Sequence, residues 1–223
     1  VREIVLDTET TGLDPRSGHR IVEIGCVELV NLMPTGRTFH RYIDPERDMP
    51  AEAFAVHGLS REFLSQHKVF AAEVDAFIDF VGDARLVIHN ASFDMKFINA
   101  ELERLARPQL PMSQALDTVQ MARERFRGAQ VSLDALCRRF NIESSHRVKH
   151  GALLDAELLA EVYLELTGGR QPGLLLGAKA GDTETTTTAP RREWPRRQFA
   201  PAEAEIAAHD AFVEKLSDPI WRR

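Results

Sequence analysis

The stretch LDTETTGLDP, Leu6 to Pro15, decides how the rest of the chain is read. It follows the apolar run Ile4-Val5, which reads as a strand heading into a core. On a strand, residues two apart project to the same side, so Asp7 and Glu9 aim two carboxylates at one place. That place is the strand's C-terminal end, where open α/β sheets commonly bind ligands. Unpaired charge is costly to bury, so acids that finish a core strand need a partner or a purpose. Taken alone, an Asp-x-Glu is a turn residue followed by a solvated glutamate. The reading changes only if more acids reach the same place.

Working outward, the first strand reads as Glu3 to Thr8, a second as Ile21 to Val30 and a third as Thr38 to Ile43. The segment MPTG, Met33 to Gly36, supplies the turn between the last two. Connections this short suit antiparallel neighbours. From Pro50 to Gly82 the pattern is helical, with Val74, Phe77, Ile78 and Val81 at three- and four-residue spacing. Leu86 to His89 reads as a fourth strand, and Ser92 as the N-cap of a helix running to about Leu105. Ala115 to Thr118 reads as a brief fifth strand, and Ser132 caps a helix over Leu133 to Phe140. A last helix lies in GALLDAELLAEVYLELTGG and stops at the Gly168–Gly169 pair. Three adjacent strands followed by alternating helices and strands indicate an α/β domain with a mixed sheet.

Further acids do arrive. In HNASFD, His89 to Asp94, a strand ends and Asp94 falls in the first turn of the next helix. An acid there also complements the helix dipole, so it is ordinary helix chemistry as well. In HGALLDAE, His150 and Asp155 are five positions apart. Five helical residues rotate the direction by roughly 140°, so the two cannot share a face if both are helical. Placing His150 before the helix start and Asp155 in its second turn removes the conflict, and Gly151 permits that junction.

Asp-x-Glu after an N-terminal strand, HNASFD, and His-x4-Asp opening a late helix together resemble the DEDDh family of 3′→5′ exonucleases. The likeness covers residues 1–168 and is nearest to members that proofread replicative DNA synthesis. It implies a ribonuclease H-like fold, a mixed five-stranded sheet flanked by helices. It also implies that Asp7, Glu9, Asp94 and Asp155 bind two divalent cations, Mg²⁺ or Mn²⁺, and that His150 is the general base. Four carboxylates in one cleft would repel unless cations lay between them, and hard oxygen ligands suit those two metals. The implied reaction hydrolyses the 3′-terminal phosphodiester of a single-stranded or frayed DNA end and releases nucleoside 5′-monophosphates. In the same resemblance Thr10, Gly12, Leu13, Val56, His57, Asn90 and Phe93 hold the terminal nucleotide. A stand-alone DEDDh ribonuclease or DNA exonuclease is the alternative enzyme, and a non-catalytic adaptor on the same scaffold is the alternative of another class.

Composition sets the outer bounds. The chain has 223 residues, 43% hydrophobic and 28% charged, with net charge -6. This is globular composition without the overall basic footprint of a passive nucleic-acid binder. Cys26 and Cys137 lie in expected regular elements, which suits buried thiols in a reducing cytoplasm rather than a disulfide scaffold. No apolar run has membrane-spanning length, and no signal peptide is expected ahead of the first strand. Three parts are expected: a nuclease domain over 1–169, a flexible linker over 170–200, and a partner-binding segment over 201–223. The linker is rich in Gly, Thr, Pro and Arg, with little to build a core. Its QPGLLL resembles a sliding-clamp peptide, with Gln171, Leu174 and Leu176 as candidate anchors. After it, Pro201 to Leu216 reads as a short helix, and Phe212, Leu216 and Trp221 are candidate contacts to a polymerase catalytic subunit.

Overall fold

The computed structural model describes residues 1–144, 150–169 and 201–215. Gln171, Leu174, Leu176, Leu216, Trp221 and the expected linker lie outside the described residues. The chain divides into two compact units between residues 174 and 175.

In the first unit, strands β1 (Arg2–Thr10), β2 (Ile21–Val30) and β3 (Met33–Tyr42) form an antiparallel meander. Three helices follow, α1 (Ala51–His57), α2 (Arg61–Leu64) and α3 (Phe70–Val81). Strand β4 (Arg85–Ile88) then pairs parallel to β1. Helix α4 (Ala91–Arg104) leads to β5 (Ala115–Asp117), parallel to β4, and helices α5 (Thr118–Arg125), α6 (Leu133–Phe140) and α7 (Ala152–Leu166) close the unit. The strand order is β3-β2-β1-β4-β5, the mixed five-stranded sheet the sequence leads one to expect.

Alternation along β1 divides the core. Ile4 and Leu6 join the apolar layer that holds Phe77 and Phe97 of α3 and α4. Val5 points the other way, into the layer with Leu136 of α6 and Leu159 of α7. Asp7 and Glu9 continue the odd-numbered series, so they share Val5's side of the sheet. Thr8 shares that of Leu6.

Several boundaries differ from the sequence reading. The β2–β3 turn is Asn31-Leu32, both at positive φ, and Met33 to Gly36 belong to β3. An edge strand tolerates Pro34 and Gly36 because one side of its ladder is unpaired. The stretch from Pro50 to Gly82 is three helices, the first ended by left-handed Gly58. Helix α4 is capped by Asn90 in the left-handed region (φ 71°), and Ser92 sits inside the helix. Helix α5, absent from the sequence reading, starts where the Asp117 carboxylate accepts from Val119 N.

The second unit has one described helix, α8 (Glu203–Val213), inside the range expected to be helical. Ile206 and Phe212 are exposed on it.

Candidate active site

The site is assembled where β1 ends. Asp7 lies opposite Gly25 of β2, and Glu9 opposite Glu23, with an irregularity in the ladder directly after Glu9. Such a bulge ends regular pairing and re-aims the chain. Gly25 explains how α7 comes close: a Cβ there would stand 2.2 Å from the carbonyl carbon of Ala152 and the nitrogen of Leu153. A side chain at that position would collide with backbone, so only glycine lets the start of α7 lie on the sheet beside Asp7.

This close approach delivers the next two groups. Asp155 is buried in the first turn of α7, one turn earlier than the sequence reading places it, and its N–H donates to Gly151 O. His150 precedes the helix, with Nδ1 3.1 Å from Asp155 Oδ2. A carboxylate only accepts, so Nδ1 donates, and Nε2 carries the lone pair of the neutral ring. Ligand atoms of Glu9, His150 and Asp155 all lie within 4.8 Å of one another. The two carboxylates at that spacing suit a divalent cation, with the imidazole beside them.

Asp94 comes from the other layer. It is buried in the first turn of α4, and Oδ1 accepts from Thr8 N at 3.0 Å and from Thr8 Oγ1 at 2.7 Å. Burial pushes its carboxyl up to about 7, against the lowering effect of the Thr8 bonds. A buried acid that resists ionising is one whose charged form a cation would stabilise. The Asp117 carboxylate raises it further. His89 is held below its ordinary value by burial, with Asp117 and Asp155 acting in the opposite direction.

Beside the acids is a cleft of about 510 Å³. Glu9, Thr10, Gly12, Leu13, Val56, His57 and Phe93 are among the residues lining it, so six of the seven expected nucleotide contacts gather there. Leu13 and Val56 are exposed apolar groups on its rim, whereas His57 is buried, with Nδ1 accepting from Leu59 N. The seventh, Asn90, lines a separate cleft of about 700 Å³. Its backbone is left-handed, and its N–H donates to Asp117 Oδ1. Sequence reasoning missed Thr8, Asp117 and His89. Thr8 was visible as the middle of Asp-Thr-Glu, but only the tertiary structure brings Asp94 to it.

A family model described as Exonuclease matches residues 4–163. The chain belongs to that exonuclease family. It is 57% identical over 222 residues to the DNA polymerase III subunit epsilon of Rickettsia prowazekii, covering 97% of each chain. It is 50% identical over 222 residues to the subunit of the same name from Rickettsia felis, again covering 97% of each. The exonuclease fold is shared with the nuclease domain of 3′hExo, a DEDDh family member bound to rAMP. That match has a TM-score of 0.65 at 17% identity and covers 74% of this chain and 91% of that one.

Proposed function

We propose that this exonuclease is the proofreading subunit of a bacterial DNA polymerase III, removing nucleotides from the 3′ end of DNA. The observation that carries the reading is the convergence of Glu9, His150 and Asp155, which brings Glu9 to two residues at least 141 positions further along the chain. Asp7, Glu9, Asp94 and Asp155 would hold two divalent ions, Mg²⁺ or Mn²⁺. Bound there, the ions would offset the repulsion among the acids and stabilise the charge developing on the phosphate.

The protein's own groups do the rest. The cleft between the start of α4 and α1 accepts the terminal nucleotide, with Leu13, Val56 and Phe93 offering apolar surface to the base and His57 and Thr10 polar groups to the sugar. A frayed or mismatched end enters it at lower cost than a paired one, which supplies selectivity without reading sequence. His150 Nε2 takes the proton of the attacking water while Nδ1 stays anchored on Asp155. Positioned general bases contribute about 10²–10⁴-fold.

The test is release of 5′-mononucleotides from a 3′-labelled single strand with Mn²⁺, abolished by chelator. His150→Ala is expected to lower turnover by about 10²–10⁴-fold while Mn²⁺ binding, followed by calorimetry, persists. A variant as fast as the parent would remove His150 from the role.

In the same reading the protein works in the cytoplasm, docked on the polymerase catalytic subunit through residues 201–223. Gln171, Leu174 and Leu176 would engage the sliding clamp. Among the described residues no helix is long and apolar enough to cross a membrane.

A further inference from the structure

The first turn of α4 separates two clefts. Phe93 lines the smaller one, which is apolar at Leu13 and Val56. Asn90, Ala91 and Ser92 line the larger one. Asp94 follows directly in the same turn, and Glu9 lines the smaller cleft. The larger cleft differs in chemistry: Asn90, Ser92, Gln120, Arg123 and Ser132 give it hydroxyl, amide and guanidinium groups. Arg123 and Gln120 lie one turn apart on α5 and are both exposed, so both can reach the cleft from one helix face. The single carboxylate among its described lining residues, Asp117, is half-buried and accepts from the N–H groups of Asn90 and Val119. Those two bonds hold it in the wall. A guanidinium in this setting is notable on a chain of net charge -6.

We infer that the larger cleft binds the phosphodiester backbone of the substrate strand on the 5′ side of its terminal nucleotide, with Arg123 and Gln120 as the principal contacts. The inference rests on the exonuclease reading of the site and extends it. A strand with its last base in the apolar cleft and its scissile phosphate at the acids must continue past α4. The polar cleft is the adjoining surface with the donors a phosphate requires. Contacts to backbone alone favour no base, as removal of arbitrary misinserted nucleotides demands.

The test compares two substrates on the full-length protein with Mn²⁺: the p-nitrophenyl ester of thymidine 5′-monophosphate, which has no upstream phosphate, and a decathymidylate. Arg123→Glu and Gln120→Glu are each expected to raise KM for the decamer about tenfold, with kcat held within twofold. Arg123→Glu should also reduce the slope of log affinity against log salt by about 0.7, one single-strand phosphate contact. Ester hydrolysis should change less than twofold in both variants. Decamer KM and salt slope equal to the parent's in both variants would overturn the inference. So would equal losses on ester and decamer, which place the effect at the acids. A parent inert toward both substrates would instead overturn the exonuclease reading beneath it, and this inference with it.

Discussion

Thr8 stands between the two carboxylates of the opening motif, yet it faces the opposite side of the sheet and is buried against Asp94. Its N–H and hydroxyl both donate to Asp94 Oδ1, so the carboxylate is oriented from two directions. Hydrogen bonds to charged groups are worth about 1.5–3 kcal/mol. Thr8→Val keeps the shape and removes the hydroxyl. The metal concentration giving half-maximal activity is then expected to rise about tenfold, and Thr8→Ser should restore it. A valine variant with an unchanged metal titration would show that Asp94 needs no such support. Asp94 itself has a signature in pH. Burial raises its carboxyl from the ordinary 3.8 to about 7, so the folded state binds a proton that the unfolded state releases. The resulting stability is complete below about pH 3.8 and is lost as pH rises through 7. With chelator present, Asp94→Asn is expected to be more stable than the parent at pH 7.5, by about 4 kcal/mol at most, and to melt higher. The gap should close below pH 4. Equal melting curves at both pH values would refute the assignment.

At the scale of elements, the site depends on α7 lying directly on β2. Its start contacts Gly25, and toward its other end the Tyr163 hydroxyl donates to buried Glu3 of β1 at 2.9 Å. Arg125 donates to the carbonyls of Glu165 and Leu166, closing the C-terminal end with a cation that suits the dipole. Helix α4 is fixed comparably, because Arg20 at the head of β2 makes a two-pronged pair with buried Glu101, at 2.7 and 2.9 Å. Gly25→Ala is therefore expected to do more than destabilise. The added methyl must push Ala152 and Leu153 away, carrying His150 and Asp155 from Asp7 and Glu9. A misplacement of about 1 Å can cost on the order of 10²-fold in rate. Activity measured well below the variant's melting temperature should fall by that order. Parent-like turnover would mean that α7 has slack the packing does not show.

At the scale of the whole molecule, a nuclease unit is followed by a segment with its own helix, α8. In the proposed function, docking of residues 201–223 on the polymerase would raise the effective concentration of the nuclease near it without new contacts at the site. Deleting residues 170–223 is expected to spare hydrolysis of a short single strand and to abolish co-purification with the polymerase subunit. Capture by the truncated protein would place the docking surface on the nuclease unit. The division of labour between sequence and structure is physical. The two-residue period of a strand is local, so the shared orientation of Asp7 and Glu9 is legible in seven letters. The mixed sheet likewise follows from the order of apolar runs and turns. Local signals misled where a residue tolerates two conformations, as Asn90 does in capping α4 from the left-handed region. They also misled at edge strand β3, where proline and glycine do not break pairing. Local pattern is enough to specify which acids are present and which face of β1 carries two of them. That Thr8 orients Asp94 across 86 positions, that α7 closes on Gly25 and that Asn90 lines a second cleft emerge from folding. Those outcomes depend on long-range packing, where the choice of contact lies with the partner surface rather than with neighbours in the chain.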